Sequence, residues 1–258
     1  MVAAGSRGNV WIWWKRSNLR SVSSSPQNTL QNRIQLFGRR KGKALRNARR
    51  DLLEKDLPHL RIELKTLETG TDPRVFFNPP VERVWLEIGF GGGEHLIAQA
   101  SAHPEIGFIG AEVFENGIAS LLQQRIDAKL ENIRILDNDA REFLPLLQNA
   151  SVERVFLLYP DPWPKTRHAK RRFVNRQTLD ELARIMPLQS ELRIATDHPV
   201  YARWCLRHIP THPNFQWQVN RAKDWRFPPG DAFSTRYEQK AITQGRTPMY
   251  LTFRRVIG

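Results

Sequence analysis

The sequence predicts an α/β fold built on a largely parallel sheet flanked by helices. Three observations carry that expectation. From about Val81 onward, short apolar runs alternate with stretches whose apolar residues recur at helical spacing. A glycine-rich segment, Gly89-Phe90-Gly91-Gly92-Gly93, joins one such run to the helix after it. Acids stand at the ends of successive runs, at the sheet edge where open α/β folds bind ligands.

Residues 1–28 are rich in Ser, Arg and Trp, lack periodicity and end near Ser23-Ser24-Ser25-Pro26, so they are expected to be disordered or loosely attached. The segment is Arg-rich, Ser-rich and free of acids, as organellar transit peptides are. It reads equally as translation from an upstream start, and both readings stay open. Residues 1–37 are therefore expected to be a disordered or weakly ordered basic extension, followed by one domain over residues 38–258. Within that domain, residues 38–80 hold a basic arm and a helix near residues 44–56, and residues 81–258 hold the α/β core.

Val84-Trp85-Leu86-Glu87-Ile88 reads as the first strand and residues 94–100 as the helix after it. Phe108-Ile109-Gly110-Ala111-Glu112 is the second strand, followed by a helix with Ile118, Leu121, Leu122 and Ile126 on one face. Ile133-Arg134-Ile135-Leu136 is the third strand and residues 155–159 the fourth. Leu179, Leu182, Ala183 and Met186 mark an amphipathic helix. Leu192-Arg193-Ile194-Ala195-Thr196 is a fifth strand running to Asp197, and a helix covers residues 200–208. Strands over residues 215–219 and 249–255 close the chain. Helices between successive strands imply right-handed crossovers and parallel pairing.

The chain has 258 residues, 40% hydrophobic and 26% charged, an ordinary globular balance. No apolar run reaches membrane-spanning length. Cys205 is the sole cysteine, which excludes an intramolecular disulfide and favours a cytoplasmic setting. The net charge of +14 is unevenly spread. Twelve of the 40 Lys and Arg and none of the 26 acids lie in the first 50 residues, so the rest is close to neutral. A second cationic run is Lys165-Thr166-Arg167-His168-Ala169-Lys170-Arg171-Arg172. Localised basicity of this kind suits a polyanionic partner, and it suits a solvated tail and loop as well.

Tyr159-Pro160-Asp161-Pro162-Trp163-Pro164-Lys165 places an acid among rigid prolines directly after a buried strand. The flat ring of Trp163 suits either packing between its prolines or stacking on a splayed base. The glycine loop has the context of a nucleotide-binding turn, but Glu94 stands where a dinucleotide fingerprint needs a small residue. Glu87 and Glu94 also repel a pyrophosphate. Acids here suit a cationic, amino-bearing ligand, and S-adenosylmethionine carries both a sulfonium and an ammonium. Glu112 is positioned to take both hydroxyls of a ribose, and Asp139 lies where an adenine amino group would fall. Each acid alone reads more readily as a helix N-cap or loop charge than as a ligand contact. Three acids after three strands, beside a glycine loop, favour a site.

Leu86-Glu87-Ile88-Gly89-Phe90-Gly91, Gly110-Ala111-Glu112, Asp139-Ala140 and the proline-flanked Asp161 resemble the bacterial tRNA (guanine-N7)-methyltransferase family. The resemblance continues through the cationic run at residues 167–172, Ala195-Thr196-Asp197 and Thr235-Arg236-Tyr237-Glu238, in family order from about residue 38. The glycine loop alone is common to most class I methyltransferases. The resemblance implies a Rossmann-like class I methyltransferase fold, with a seven-stranded sheet whose last strand is antiparallel. It implies methylation of guanosine N7 in the tRNA variable loop, with S-adenosylmethionine held by Glu87, Gly89, Gly91, Glu112, Asp139 and Asp161. It further implies contacts with tRNA from Lys165, Arg167, His168, Lys170, Arg171, Arg172, Asp197, Thr235, Arg236, Tyr237 and Glu238. At Pro164, where many relatives carry His, no role is carried over. No metal-ligand spacing stands out.

Asp161 is the expected catalytic group. Asp197 reads as a contact to the guanine edge or as an N-cap ahead of Pro199. Without the resemblance, residues 235–238 read as a surface turn. The expected partner is tRNA, with no membrane, and the protein is expected to be a monomer or weak homodimer in the cytoplasm, organellar import being the lesser reading. The competing classes are a non-catalytic RNA-binding protein and a methyltransferase for small molecules or proteins. A dehydrogenase fits least.

Overall fold

Every residue from Val84 to Ile88 is buried, as a strand covered by helices on both faces requires. The computed structural model describes residue 38 and residues 40–258, and the extension expected over residues 1–37 lies outside the described residues. The basic arm leads into α1 (Asn47–Lys55) and the single turn α2 (Leu57–Leu60). The core then alternates β1 (Arg83–Ile88), α3 (Glu94–Ala102), β2 (Ile106–Ala111), α4 (Glu115–Asp127), β3 (Ile133–Leu136) and α5 (Ala140–Phe143). It continues with β4 (Arg154–Leu158), a 3-10 turn over Thr166–Arg171, α6 (Arg176–Ile185), β5 (Glu191–Thr196) and α7 (Pro199–His208). The chain closes with β6 (Phe215–Trp217), α8 (Lys223–Arg226), α9 (Arg236–Thr243) and β7 (Met249–Arg255).

The seven strands form one sheet in the order β3-β2-β1-β4-β5-β7-β6. β1 pairs in parallel with both β2 and β4, so the strand order reverses about β1 and opens a crevice above its carboxyl end. β7 is antiparallel to β5 and β6, which bears out the expected antiparallel last strand. One face of the sheet packs Leu96, Phe108, Leu121, Leu122 and Phe156. The other packs Leu86, Phe143, Leu157, Leu179, Leu182 and Phe253. Among the described residues no helix is long and apolar enough to cross a membrane.

Several boundaries differ from the sequence reading, each for a local reason. β2 ends at Ala111, one residue before Glu112, although the Glu112 N–H still donates to the Leu136 carbonyl at 3.0 Å. β4 stops at Leu158 because Tyr159 takes φ +49° and turns the chain out of the sheet. β6 is shorter than expected, ending at Trp217. Ile126, expected on the buried face of its helix, is 38% exposed in the last turn of α4. α7 is capped by His198, whose Nδ1 accepts the Val200 N–H at 3.2 Å, so Asp197 is not the cap. Residues 235–238 are no surface turn. Thr235 caps α9, its Oγ accepting the Glu238 N–H at 3.1 Å.

α6 begins with a reciprocal capping box, in which the Asn175 side chain accepts the Thr178 N–H and the Thr178 hydroxyl accepts the Asn175 N–H, both at 3.1 Å. The box follows the cationic segment directly and fixes where it re-enters the core. Asn175→Ala is expected to cost about 1 kcal/mol of stability. Urea unfolding checks this, and an unshifted midpoint would contradict it.

Candidate active-site cleft

The loops after β1, β2, β3 and β4 wall one cleft holding about 1340 Å³ of open space. Its floor is the glycine turn. Gly91, at φ +58°, needs the freedom of glycine, and a Cβ there would meet the Tyr237 ring at 2.9 Å. The Gly91 N–H donates to Glu112 Oε2 at 2.8 Å, while Glu112 Oε1 accepts the N–H groups of Val113 (2.7 Å) and Phe114 (2.9 Å). Burial raises the Glu112 pKa, the three N–H bonds oppose that rise, and the charge of Asp161 adds to it. The charge of Asp161 thus reaches Glu112 across the cleft.

Asp139 lies on the same cleft and also caps α5, accepting the Arg141 N–H at 2.9 Å. Arg141 grips the Asp139 carboxylate through Nε at 3.0 Å and Nη2 at 2.5 Å. The N-cap reading of this acid and its place at the cleft are thus both realised. Asn138, which no sequence pattern singles out, lines the cleft beside it.

Beyond β4 the chain makes a strained turn. Tyr159 and Trp163 both have positive φ (+49° and +42°), a conformation that costs a non-glycine residue on the order of 1–3 kcal/mol. Backbone and side-chain bonds hold it. The Tyr159 N–H donates to the Ala195 carbonyl at 2.7 Å. Arg172 donates to the carbonyls of Pro162 (3.2 Å) and Trp163 (2.8 Å) and lies over the Trp204 ring at 4.3 Å. Asp161, between the strained residues, is exposed at the mouth of the cleft, yet the surrounding atoms desolvate its carboxylate and raise its pKa.

Arg172 therefore corrects the sequence reading. It is only 5% exposed and its guanidinium is spent on the turn, so it is not available to a phosphate. Lys165, Arg167 and Lys170 are exposed. Arg171 stacks over the Trp163 ring at 4.7 Å, and His168 meets that ring edge-on. Desolvation, then the charges of Arg171, Arg167 and Lys165, lower the His168 pKa.

Glu87 is not brought to the cleft. It is buried in β1 facing away, accepting from His95 Nδ1 at 2.8 Å. Gln99 donates to His95 Nε2 at 3.2 Å and to the Asp231 carbonyl at 3.0 Å. Gly89 lines the cleft as expected. Asp197 is tied to Arg246. Of residues 235–238, Tyr237 lines the cleft, Arg236 pairs with Glu94 at 3.1 Å, and Thr235 and Glu238 line a neighbouring pocket of about 440 Å³. Glu238 accepts from the Tyr250 hydroxyl in that pocket. Tyr159 forms part of both walls, and burial pushes its hydroxyl pKa well up. Its place at the exit of a buried strand was a signal open to sequence reading, as was the Thr-x-x-Glu pattern of a helix start at residue 235. Tyr250, within β7, carries no such signal.

Residues 81–251 match the model of a protein family described as "Putative methyltransferase". The tRNA (guanine-N(7)-)-methyltransferase of Rhodospirillum rubrum is 50% identical over 221 residues, spanning 85% of this chain and 87% of that protein. The protein of the same name from Roseobacter denitrificans is 49% identical over 220 residues, spanning 84% of this chain and 94% of that one. Among solved structures, the 16S rRNA methyltransferase KamB superposes with a TM-score of 0.51 at 12% identity, over 76% of this chain and 99% of that chain, a likeness of fold alone.

The close approach of α4 to the glycine turn is itself testable. A Cβ on Gly117 would stand 2.0 Å from the Gly91 carbonyl oxygen, a backbone atom with no room to give. Gly117→Ala is expected to destabilise the protein by about 1–3 kcal/mol, as overpacking does. Chemical denaturation measures it, and wild-type stability would show that the two segments separate freely.

Proposed function

The chain belongs to the tRNA (guanine-N7)-methyltransferase family, and from that membership and the cleft we propose that it methylates N7 of a guanosine in the tRNA variable loop, using S-adenosylmethionine. The observation that carries this reading is the convergence of Glu112, Asp139 and Asp161 on one cleft beside a glycine turn. Exposed Lys165, Arg167 and Lys170 stand at the same strand end. As relatives of bacterial tRNA-modifying enzymes suggest, we place its work in the cytoplasm.

The cleft fits the cofactor in size and charge. Carboxylates suit a ligand bearing a sulfonium and an ammonium, and the Glu112 carboxylate, pinned by three N–H groups, is a preorganised acceptor for ribose hydroxyls. Asp139 and Asn138 would stand at the base. When bound, S-adenosylmethionine supplies an electrophilic methyl group on sulfur.

Guanine N7 has a lone pair and no proton, so no residue is required as a general base. The protein's task is alignment of nucleophile and methyl, a positioning problem. Methylation leaves the purine cationic, and the Asp161 carboxylate stabilises that charge as it develops, held in place by the turn rather than reorganised. Tyr237, against the glycine turn, bounds the space the base can enter. Lys165, Arg167 and Lys170 contact phosphates and orient the RNA without reading its sequence. Borohydride–aniline cleavage of treated tRNA tests the function. Strand scission at a variable-loop guanosine is expected, and intact tRNA after methyl incorporation would place the methyl on another atom.

Asp161→Ala is expected to lower the single-turnover methyl-transfer rate by roughly two to three orders of magnitude. Asp161→Asn, which keeps the shape and removes the charge, should lose most of the same factor. A wild-type rate in either variant would sink the assignment. Cofactor affinity should also weaken on acidification. Glu112 and Asp161 both have raised pKa values, so they protonate, and lose their attraction for a cationic ligand, at a higher pH than ordinary carboxylates. Calorimetric titration with S-adenosylmethionine should find the dissociation constant rising by up to about tenfold per pH unit once below the raised pKa. A constant that stays flat down to pH 4 would overturn the charge argument.

A further inference from the structure

The basic arm before α1 is built into the fold. The Asn116 side chain, in the first turn of α4, grips it from both sides. Its Oδ1 accepts the Gly42 N–H at 2.8 Å and its Nδ2 donates to the Lys43 carbonyl at 2.9 Å. One residue earlier in α4, the Glu115 N–H donates to the Arg40 carbonyl at 2.9 Å. The fit is close, since a Cβ on Gly42 would meet Asn116 Oδ1 at 2.6 Å and the Phe114 ring at 2.9 Å. Three backbone positions of the arm are thus fixed to the helix that follows Glu112.

This clamp decides where charge is displayed. Residues 40–50 contain six cations and no acid. Lys43, Arg46 and Arg49 are exposed and, with Phe114 and Asn116, line an open hollow of about 1070 Å³. No acid lines it among the described residues. None of the three has a carboxylate partner among the described residues, whereas Lys41 pairs with Glu115 at 3.6 Å. Phe114 belongs both to this hollow and to the cofactor cleft, and Gly38 of the arm also lines the cleft. The cleft is therefore flanked by cations on two sides, by the arm at the α4 side and by residues 165–171 at the β4 side.

We propose that Lys43, Arg46 and Arg49 form a second phosphodiester-binding track for the RNA substrate, held beside the cleft by the Asn116 clamp. RNA lying across the cleft mouth is then gripped on both sides of the guanosine. Phosphate contacts of this kind fix orientation and make binding salt-dependent. The assignment rests on the tRNA reading above. Asn116 acts through the arm as a positioning residue and touches no substrate.

The test uses the full chain and unmodified tRNA, with binding measured across a series of salt concentrations. Lys43→Ala/Arg46→Ala/Arg49→Ala should bind S-adenosylmethionine as the wild type does and bind tRNA with a salt slope shallower by about two to three, near one for each phosphate no longer held. Asn116→Ala leaves every cation present and releases the arm at Gly42 and Lys43. It should raise the KM for tRNA severalfold with kcat retained, and Asn116→Asp, which keeps only the Gly42 contact, should fall between. An unchanged slope in the triple variant overturns the track, as does an Asn116→Ala defect confined to cofactor affinity. The function reading fails separately. Wild-type protein that binds tRNA but forms no 7-methylguanosine refutes it, and the slopes still decide the track.

Discussion

The Glu112 carboxylate is the contact on which the site depends. It accepts N–H groups from Gly91, after β1, and from Val113 and Phe114, after β2. Two loops that leave adjacent strands are thereby held as one surface. The carboxylate is half-buried, and desolvating an ionised group is costly, so the three donors offset that cost and favour the charged form. The arrangement also explains why the chain leaves β2 at Ala111: beyond it, the side chain of Glu112 takes up the N–H groups that a longer strand would have paired. Phe114, positioned by the same carboxylate, then meets Gly42 of the arm. One side chain thus organises the floor of the cleft and, at one remove, the arm.

On the other side of the crevice the organising group is a cation. Arg172 sits beneath the turn after β4, its guanidinium donating to two carbonyls and resting on Trp204 from α7. Tyr159 and Trp163 hold positive φ only because such bonds, with the capping box just beyond, over-determine the segment. The strain leaves Asp161 outside the sheet and facing the cleft mouth while its neighbours are fixed. Under the proposed function, a carboxylate so placed does not have to reorganise as charge develops beside it, which is what electrostatic preorganisation requires.

These two examples mark how much was legible in the sequence. The strands and the acids after β2, β3 and β4 could be read because apolar runs and strand ends are local patterns, whereas the antiparallel close of the sheet followed only from the family resemblance. Glu87 could not be placed by pattern. β1 is buried on both faces, so no alternation tells which side residue 87 takes, and the structure turns it to His95 rather than to the cleft. Arg172 failed for a related reason. In a run of cations each member reads as surface, and only the approach of Trp204, far along the chain, makes one of them interior. Glu238 lies in a helix-start pattern that was readable, yet its burial against Tyr250 needs β7 inserted beside β5, a fact of topology and not of local sequence.

The segment that carries residues 235–238 is tied to the core at three points with different chemistry. At its base, Asp231 pairs with Arg154 (3.0 Å) and Arg193 (2.7 Å), and its carbonyl accepts from Gln99. Through His95 that last bond continues to Glu87, in the strand that ends at the glycine turn. In its middle, Arg236 pairs with Glu94 at the start of α3. Within α9, Glu238 takes the Tyr250 hydroxyl. Two of the three ties end on the strand and helix that bracket the glycine turn. Any displacement of that turn therefore pulls on the segment bearing Tyr237, and conversely. The surface-exposed pair at Arg236 and Glu94 contributes little by itself; the buried Glu87–His95–Gln99 chain, whose polar groups have no water to fall back on, is the tie that fixes the distance.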